Sequence, residues 1–161
     1  MTQFYRVLYC SRNSIIGNPG EVAVSIDSIL AVSRKNNSRD GVSGGLLFSE
    51  GCLAQVLEGP LAAVEAAFER IQCDERHSDV TVVQSGPIAA RDFPKWSMAF
   101  TGASRQDHPQ AGVVLAGAFS GRSTAGKAVL EMLRGLIKCE NDWLTPLSHT
   151  LSSQNPLIST I

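Results

Sequence analysis

The stretch Val42-Ser43-Gly44-Gly45-Leu46-Leu47-Phe48, then Ser49-Glu50-Gly51, then Leu53-Ala54-Gln55-Val56-Leu57 sets the fold of this chain. Two short apolar runs split by a polar, glycine-bearing triplet read as a β-hairpin, because glycine takes the backbone angles a tight reversal needs. Upstream, Val22, Ile26, Ile29, Leu30 and Val32 recur at helical spacing, and the pattern gives way to the polar stretch Arg34 to Asp40 before Gly41. Downstream, Pro60 opens a second helix with Leu61, Val64, Phe68 and Ile71 on one face, stopping near Asp74. Proline near the first turn of a helix sacrifices no hydrogen bond.

Further out lie three more strands. Phe4 to Cys10 is the first, closed off by a loop with Gly17, Asn18, Pro19 and Gly20. Val80 to Val83 and Trp96 to Phe100 are the others, joined by a proline-bearing connection through Arg91 and Phe93. The order βαββαββ gives an α+β fold of ferredoxin-like type, with two helices on one face of a mixed five-stranded sheet. Residues 1–101 would form this domain. Residues 102–161, rich in Gly, Ala, Ser and Pro, would add a C-terminal extension with an amphipathic helix from about 124 to 138, carrying Val129, Met132, Leu133, Leu136 and Ile137. That helix must cover the bare sheet face, join a second subunit or transmit a signal, and Leu151 to Ile161 reads as a frayed end.

With 161 residues, 43% of them hydrophobic and 18% charged, the chain fits one globular unit. Its net charge of −1 and scattered basic runs give no footprint for nucleic acid or an anionic membrane. No apolar run reaches the roughly 20 residues a membrane span needs, and the N-terminus lacks the layout of a secretion signal, so a cytoplasmic protein is expected. Cys10, Cys52, Cys73 and Cys139 stand too far apart to suggest a metal site.

The residues that stand out chemically come in two groups. Val7-Leu8-Tyr9-Cys10-Ser11-Arg12, Ser33-Arg34-Lys35-Asn36-Asn37 and Gly41-Val42-Ser43-Gly44 form the first. The second is Gln55-Val56-Leu57-Glu58-Gly59, then Asp74-Glu75-Arg76-His77 and Trp96-Ser97-Met98. In this order and spacing, over residues 4 to 101, they resemble the BLUF family of blue-light receptors that use FAD. The resemblance implies a short stand-alone photoreceptor, not an enzyme, in which light drives electron and proton transfer from Tyr9 to the flavin. Gln55 would relay the change by rearranging its hydrogen bonds, and Trp96 and Met98, on the last strand, would respond to it. Asn36, Asn37 and Gln55 would bind the ring, Ile26 and Ile29 would wall it, and Arg70, Asp74, Arg76 and His77 would lie near the ribityl and phosphate tail. FAD is the implied cofactor, although the ring-facing residues would also accept FMN or riboflavin. The implied partners are an unidentified downstream protein and further copies of the chain, in a dimer or larger ring.

Each residue also has a plainer reading. Tyr9 suits an ordinary core aromatic, Asn36-Asn37 a helix C-cap, Arg76-His77 a solvated turn, and Trp96 and Met98 the core. Gln55 resists this, since a buried amide inside an apolar strand is costly unless its groups are bonded. Two rival functions remain on the same fold: an acylphosphatase-like hydrolase using an Arg and an Asn, and a flavin-free ligand-sensing module. Gly121 to Lys127, between the apolar run Val113 to Phe119 and a helix, imitates a phosphate-binding P-loop, but Ala128 replaces the magnesium-holding Ser or Thr. Ser123 or Thr124 as a helix cap is the favoured role there.

Overall fold

The computed structural model describes residues 3–49, 51–103 and 109–150. The expected frayed end, 151–161, lies outside the described residues, as does Glu50. The chain runs β1 (Phe4–Asn13), α1 (Pro19–Asp40), β2 (Ser43–Ser49), β3 (Cys52–Gly59), α2 (Leu61–Gln72), β4 (His77–Ile88), β5 (Ala99–Ala103), α3 (Pro109–Phe119) and α4 (Ala125–Thr150). The five strands form one sheet in the order β4-β1-β3-β2-β5. Neighbours are antiparallel except β2 and β5, which run parallel, so the sheet is mixed as expected.

Local chemistry sets the ends of α1. It starts at Pro19, ahead of the apolar periodicity, because Asn18 and Glu21 form a capping box. The Asn18 side chain accepts from the Glu21 N–H at 3.1 Å, and the Glu21 carboxylate accepts from the Asn18 N–H at 2.8 Å. The helix runs on through the polar stretch to Gly41, whose φ of 70° caps it. The plainer reading of Asn36-Asn37 as a helix C-cap does not hold, because both lie inside the helix.

Alternation along β1 and β3 divides the core. Val7, Leu57 and Leu53 pack with Ile26 and Leu30 of α1 and Val64 and Ala67 of α2. Leu8, Cys10, Ala54 and Val56 face the other way and pack with Leu115 of α3 and Val129, Leu133 and Ile137 of α4. The C-terminal extension thus covers the second sheet face. Gly126 brings the start of α4 against β4, where a Cβ would sit 2.7 Å from the Val83 carbonyl.

Three expectations need correction. β5 begins at Ala99, so Trp96 and Met98 lie in the approach to the last strand, not on it. The extension holds two helices, because the apolar run read as a P-loop strand is helical in α3, and α4 extends well past residue 138. A helix, not a strand, runs up to the loop at Gly121, so the P-loop reading lacks its architecture. Thr124 precedes α4, its carbonyl accepting from the Ala128 N–H at 3.2 Å. Among the described residues, no helix is long and apolar enough to cross a membrane, and no His/Cys/Asp/Glu group is arranged to hold a metal ion.

Candidate functional site

A cavity of about 150 Å³ lies between α1, α2 and the sheet face beneath them. Its apolar walls are Ile29 and Val32 from α1, Leu46 and Leu53 from the sheet, and Ala67 and Ile71 from α2. Its polar lining includes Tyr9, Gln55, Ser33, Asn36 and Asn37, with Arg70, Asp74, Arg76 and His77 following α2 to the edge. Most of the residues singled out in the sequence therefore converge on one cleft. Ile26 does not: it is buried in the core beside Leu30 and Val42, so its expected place on the ring wall is corrected. Six residues on, Val32 takes a wall position, where the sequence analysis had read it only as part of the apolar periodicity of the helix.

Tyr9 and Gln55 face each other across β1 and β3. The buried Tyr9 hydroxyl donates to the Gln55 Oε1, and the Gln55 Nε2 contacts the Met98 Sδ at 3.5 Å. Burial raises the Tyr9 pKa well above the ordinary phenol value, with smaller electrostatic contributions from Asp74 and Cys10 in the same direction. The shift favours the neutral phenol. Its ring leans on Phe68, with centroids 5.4 Å apart.

Met98 and Trp96 part company. Met98 belongs to the core on the Gln55 side, whereas Trp96 packs half-buried against the opposite core, under α3 and α4. A regular strand would have put both on one face. Two α1 side chains hold this irregular segment: the Asn37 Nδ2 donates to the Ser97 carbonyl at 2.8 Å, and the Arg34 Nε to the Met98 carbonyl at 3.0 Å.

At the edge of the cleft the charged residues are already paired. The hydrogen-bonding Arg76 guanidinium holds the Asp74 carboxyl below its usual range, and Arg70 reaches Asp40 at 3.3 Å. Both ring nitrogens of His77 are engaged, Nε2 at 2.7 Å from the Ile71 carbonyl and Nδ1 at 2.9 Å from the Ser11 hydroxyl. A carbonyl only accepts, so Nε2 carries the hydrogen, and in the neutral ring the Ser11 hydroxyl donates to Nδ1. His77 offers the cleft a ring face and no free nitrogen.

The sequence analysis missed a second polar centre, on the α3–α4 side. Glu58 is fully buried; its Oε1 accepts from the Arg6 guanidinium at 2.6 Å, and its Oε2 accepts from the Asp92 and Phe93 N–H groups at 2.8 and 3.1 Å. Asp92 in turn bonds Arg6, and Arg134 of α4 at 2.6 Å. Arg6 and Glu58, charged residues within otherwise apolar runs of two strands, were the signal available. Their pairing needed the register of β1 and β3.

The donor set suits a flat heteroaromatic ring with alternating acceptors and donors along one edge. Asn36, Asn37 and Gln55 each carry both an amide donor and an amide acceptor, and aliphatic walls flank them. The family pattern for sensors of blue-light using FAD matches residues 4–99. The chain belongs to the BLUF family. Its fold and cofactor class follow from that membership. In solved structures, this BLUF chain is similar to the dark state of the BLUF protein BlrB, with 30% identity and a TM-score of 0.64, covering 80% of this chain and 94% of that one. It is also 30% identical to BlrP1 of Klebsiella pneumoniae, in a complex with FMN and cyclic diGMP, at a TM-score of 0.55 over 62% of this chain and 26% of the other. Photoactivated adenylate cyclase subunit beta of Euglena gracilis is 34% identical over 76 residues, 47% of this chain. Those residues are 9% of the cyclase subunit, so the chain corresponds to a small part of such relatives.

Proposed function

We propose that this BLUF domain senses blue light through Tyr9 and Gln55, with FAD held non-covalently in the cleft between α1 and α2. The observation that carries the reading is the run of contacts from the Tyr9 hydroxyl through the Gln55 amide to the Met98 sulfur. Asn37, with Asn36 beside it, would bind the pyrimidine edge, and Ile29, Val32, Leu46 and Leu53 would flank the ring. Because the Asn37 Nδ2 is engaged with Ser97, its carbonyl is the group best suited to a ring N–H.

Bound flavin supplies a strong one-electron oxidant when it absorbs blue light. Tyr9 is the donor. Held as the neutral phenol by burial, it would give its electron to the flavin and its proton to the Gln55 Oε1, the acceptor in reach. When both return, the Gln55 amide is left rotated or tautomerised, with donor and acceptor exchanged at nearly constant volume. A donor newly turned to the ring shifts its absorption to the red. No substrate is consumed.

Met98 feels the change through its sulfur, and the 92–98 segment carries it toward α4 through Asp92 and Arg134. The output would be a light-dependent contact with a downstream protein, made by the chain alone or as a homo-oligomer. An acylphosphatase-like hydrolase is less well supported, because it needs a free guanidinium and Arg76 is committed to Asp74. That pairing also weakens any grip on a phosphate tail, so the ring contacts carry most of the flavin binding.

The test is spectroscopic. Protein purified or reconstituted with FAD should be yellow and should shift reversibly to the red under blue light. A colourless protein that cannot take up FAD would overturn the reading.

A further inference from the structure

We infer that Arg34 is a positioning residue for the photochemical switch: its guanidinium holds Met98 so that the sulfur meets the Gln55 amide. The inference rests on the function proposed above and extends it to a residue that does not line the cleft.

Arg34 lies on the exposed side of α1, and among the described residues no carboxylate lies within ion-pair distance of it. Its recorded bond runs from Nε to the Met98 main-chain carbonyl, at 3.0 Å. Three residues on, Asn37 donates to the Ser97 carbonyl at 2.8 Å. Side chains three apart share a helix face, so α1 grips two successive carbonyls of one irregular segment. From the other side, the Gly44 N–H donates to the Trp96 carbonyl at 3.0 Å. The three bonds fix the segment where it leaves strand geometry, which is what sends Trp96 to one sheet face and Met98 to the other.

Methionine has three side-chain torsions and little intrinsic preference among them, so its sulfur stays on Gln55 only if the backbone is pinned. A thioether is a weak acceptor, and the Gln55 orientation it selects is correspondingly easy to lose. A charged donor on the Met98 carbonyl is the stronger bond of the two. Releasing it lets the sulfur drift and removes a contact that favours the arrangement with the Gln55 Oε1 on Tyr9.

Arg34→Ala puts the best helix former at an exposed helical site, so the fold should hold. In flavin-loaded protein the red shift should still form, but its return in the dark should slow about tenfold, in keeping with loss of one charged hydrogen bond. Arg34→Lys keeps a cationic donor and should fall between the two. In a Met98→Leu background, Arg34→Ala should change the return rate no further, because the residue acts through the sulfur. In flavin-free protein, the ¹³C-methyl signal of Met98 should move or broaden in Arg34→Ala. A return rate within about twofold of the parent, a faster return, additive effects with Met98→Leu, or an unmoved methyl signal would each overturn the inference. Absence of any red shift in the parent protein would instead overturn the photochemical reading, and the methyl signal would still decide whether Arg34 places Met98.

Discussion

The Tyr9 phenol and the Gln55 amide are direct cross-strand partners on β1 and β3, joined by a hydrogen bond and sealed from solvent. Facing positions on antiparallel strands hold their side chains on the same face at fixed separation. A donor and its relay placed this way need no conformational search.

Tyr9→Phe keeps the ring packing against Phe68 and removes the hydroxyl. The protein should remain yellow and lose the light-induced red shift, as read by difference absorption. Gln55→Leu should abolish the shift too, by removing the switchable amide. A normal shift in either variant would disprove the role given to that residue.

The raised Tyr9 pKa predicts its alkaline behaviour. Neutral phenol is favoured in the folded state, so the contribution to stability is full below about pH 10, the unfolded value, and falls as pH rises toward the folded value. Phenolate absorption near 295 nm should therefore show Tyr9 still protonated at about pH 11 in folded protein. Titration of Tyr9 near the ordinary value, with the fold intact, would contradict this.

Cysteine labelling should separate the α3–α4 face of the sheet from the surface. Burial, with Cys52 adding to it, pushes the Cys10 thiol up to about 12, while Cys73 is exposed. At pH 8 a thiol reagent should modify the exposed Cys73 much faster than the buried Cys10, because access and the thiolate form both govern reactivity. Peptide mapping after labelling measures the ratio, and comparable rates would mean that the α3–α4 side opens readily.

Glu58→Ala should be the most damaging single change away from the cleft. It leaves the buried Arg6 guanidinium to Asp92 alone and the Asp92 and Phe93 N–H groups without their acceptor. A cost of about 3–5 kcal/mol is expected in denaturant unfolding, the usual result of removing one member of a buried ion pair. A loss under about 1 kcal/mol would mean that Asp92 alone satisfies Arg6.

Gly126→Ala tests how α4 is seated. The added methyl would meet the Val83 main-chain carbonyl, which cannot swing aside as a flexible side chain can. The helix must lift, at a cost of about 1–3 kcal/mol. Hydrogen exchange should quicken in α4 and β4 together. Unchanged exchange would show that α4 docks more loosely than its burial implies.

The sequence by itself determined the element order, the hairpin, the two helices over the first sheet face and the family to which Tyr9, Gln55 and Asn37 belong. These follow from signals carried locally: period 2 against period 3.6, glycine and proline at breaks, and an amide placed among aliphatic residues. Only the tertiary structure decided which face Trp96 and Met98 take, because three bonds from α1 and β2 override strand alternation there. It also decided that His77 is saturated by Ser11 and Ile71, that Ile26 sinks into the core, and that Arg6 and Glu58 meet beneath α4. Each of these depends on partners brought together by strand register and helix packing. A hydrogen bond between residues 34 and 98 leaves no periodicity to read, since its geometry exists only once the sheet and α1 are in place.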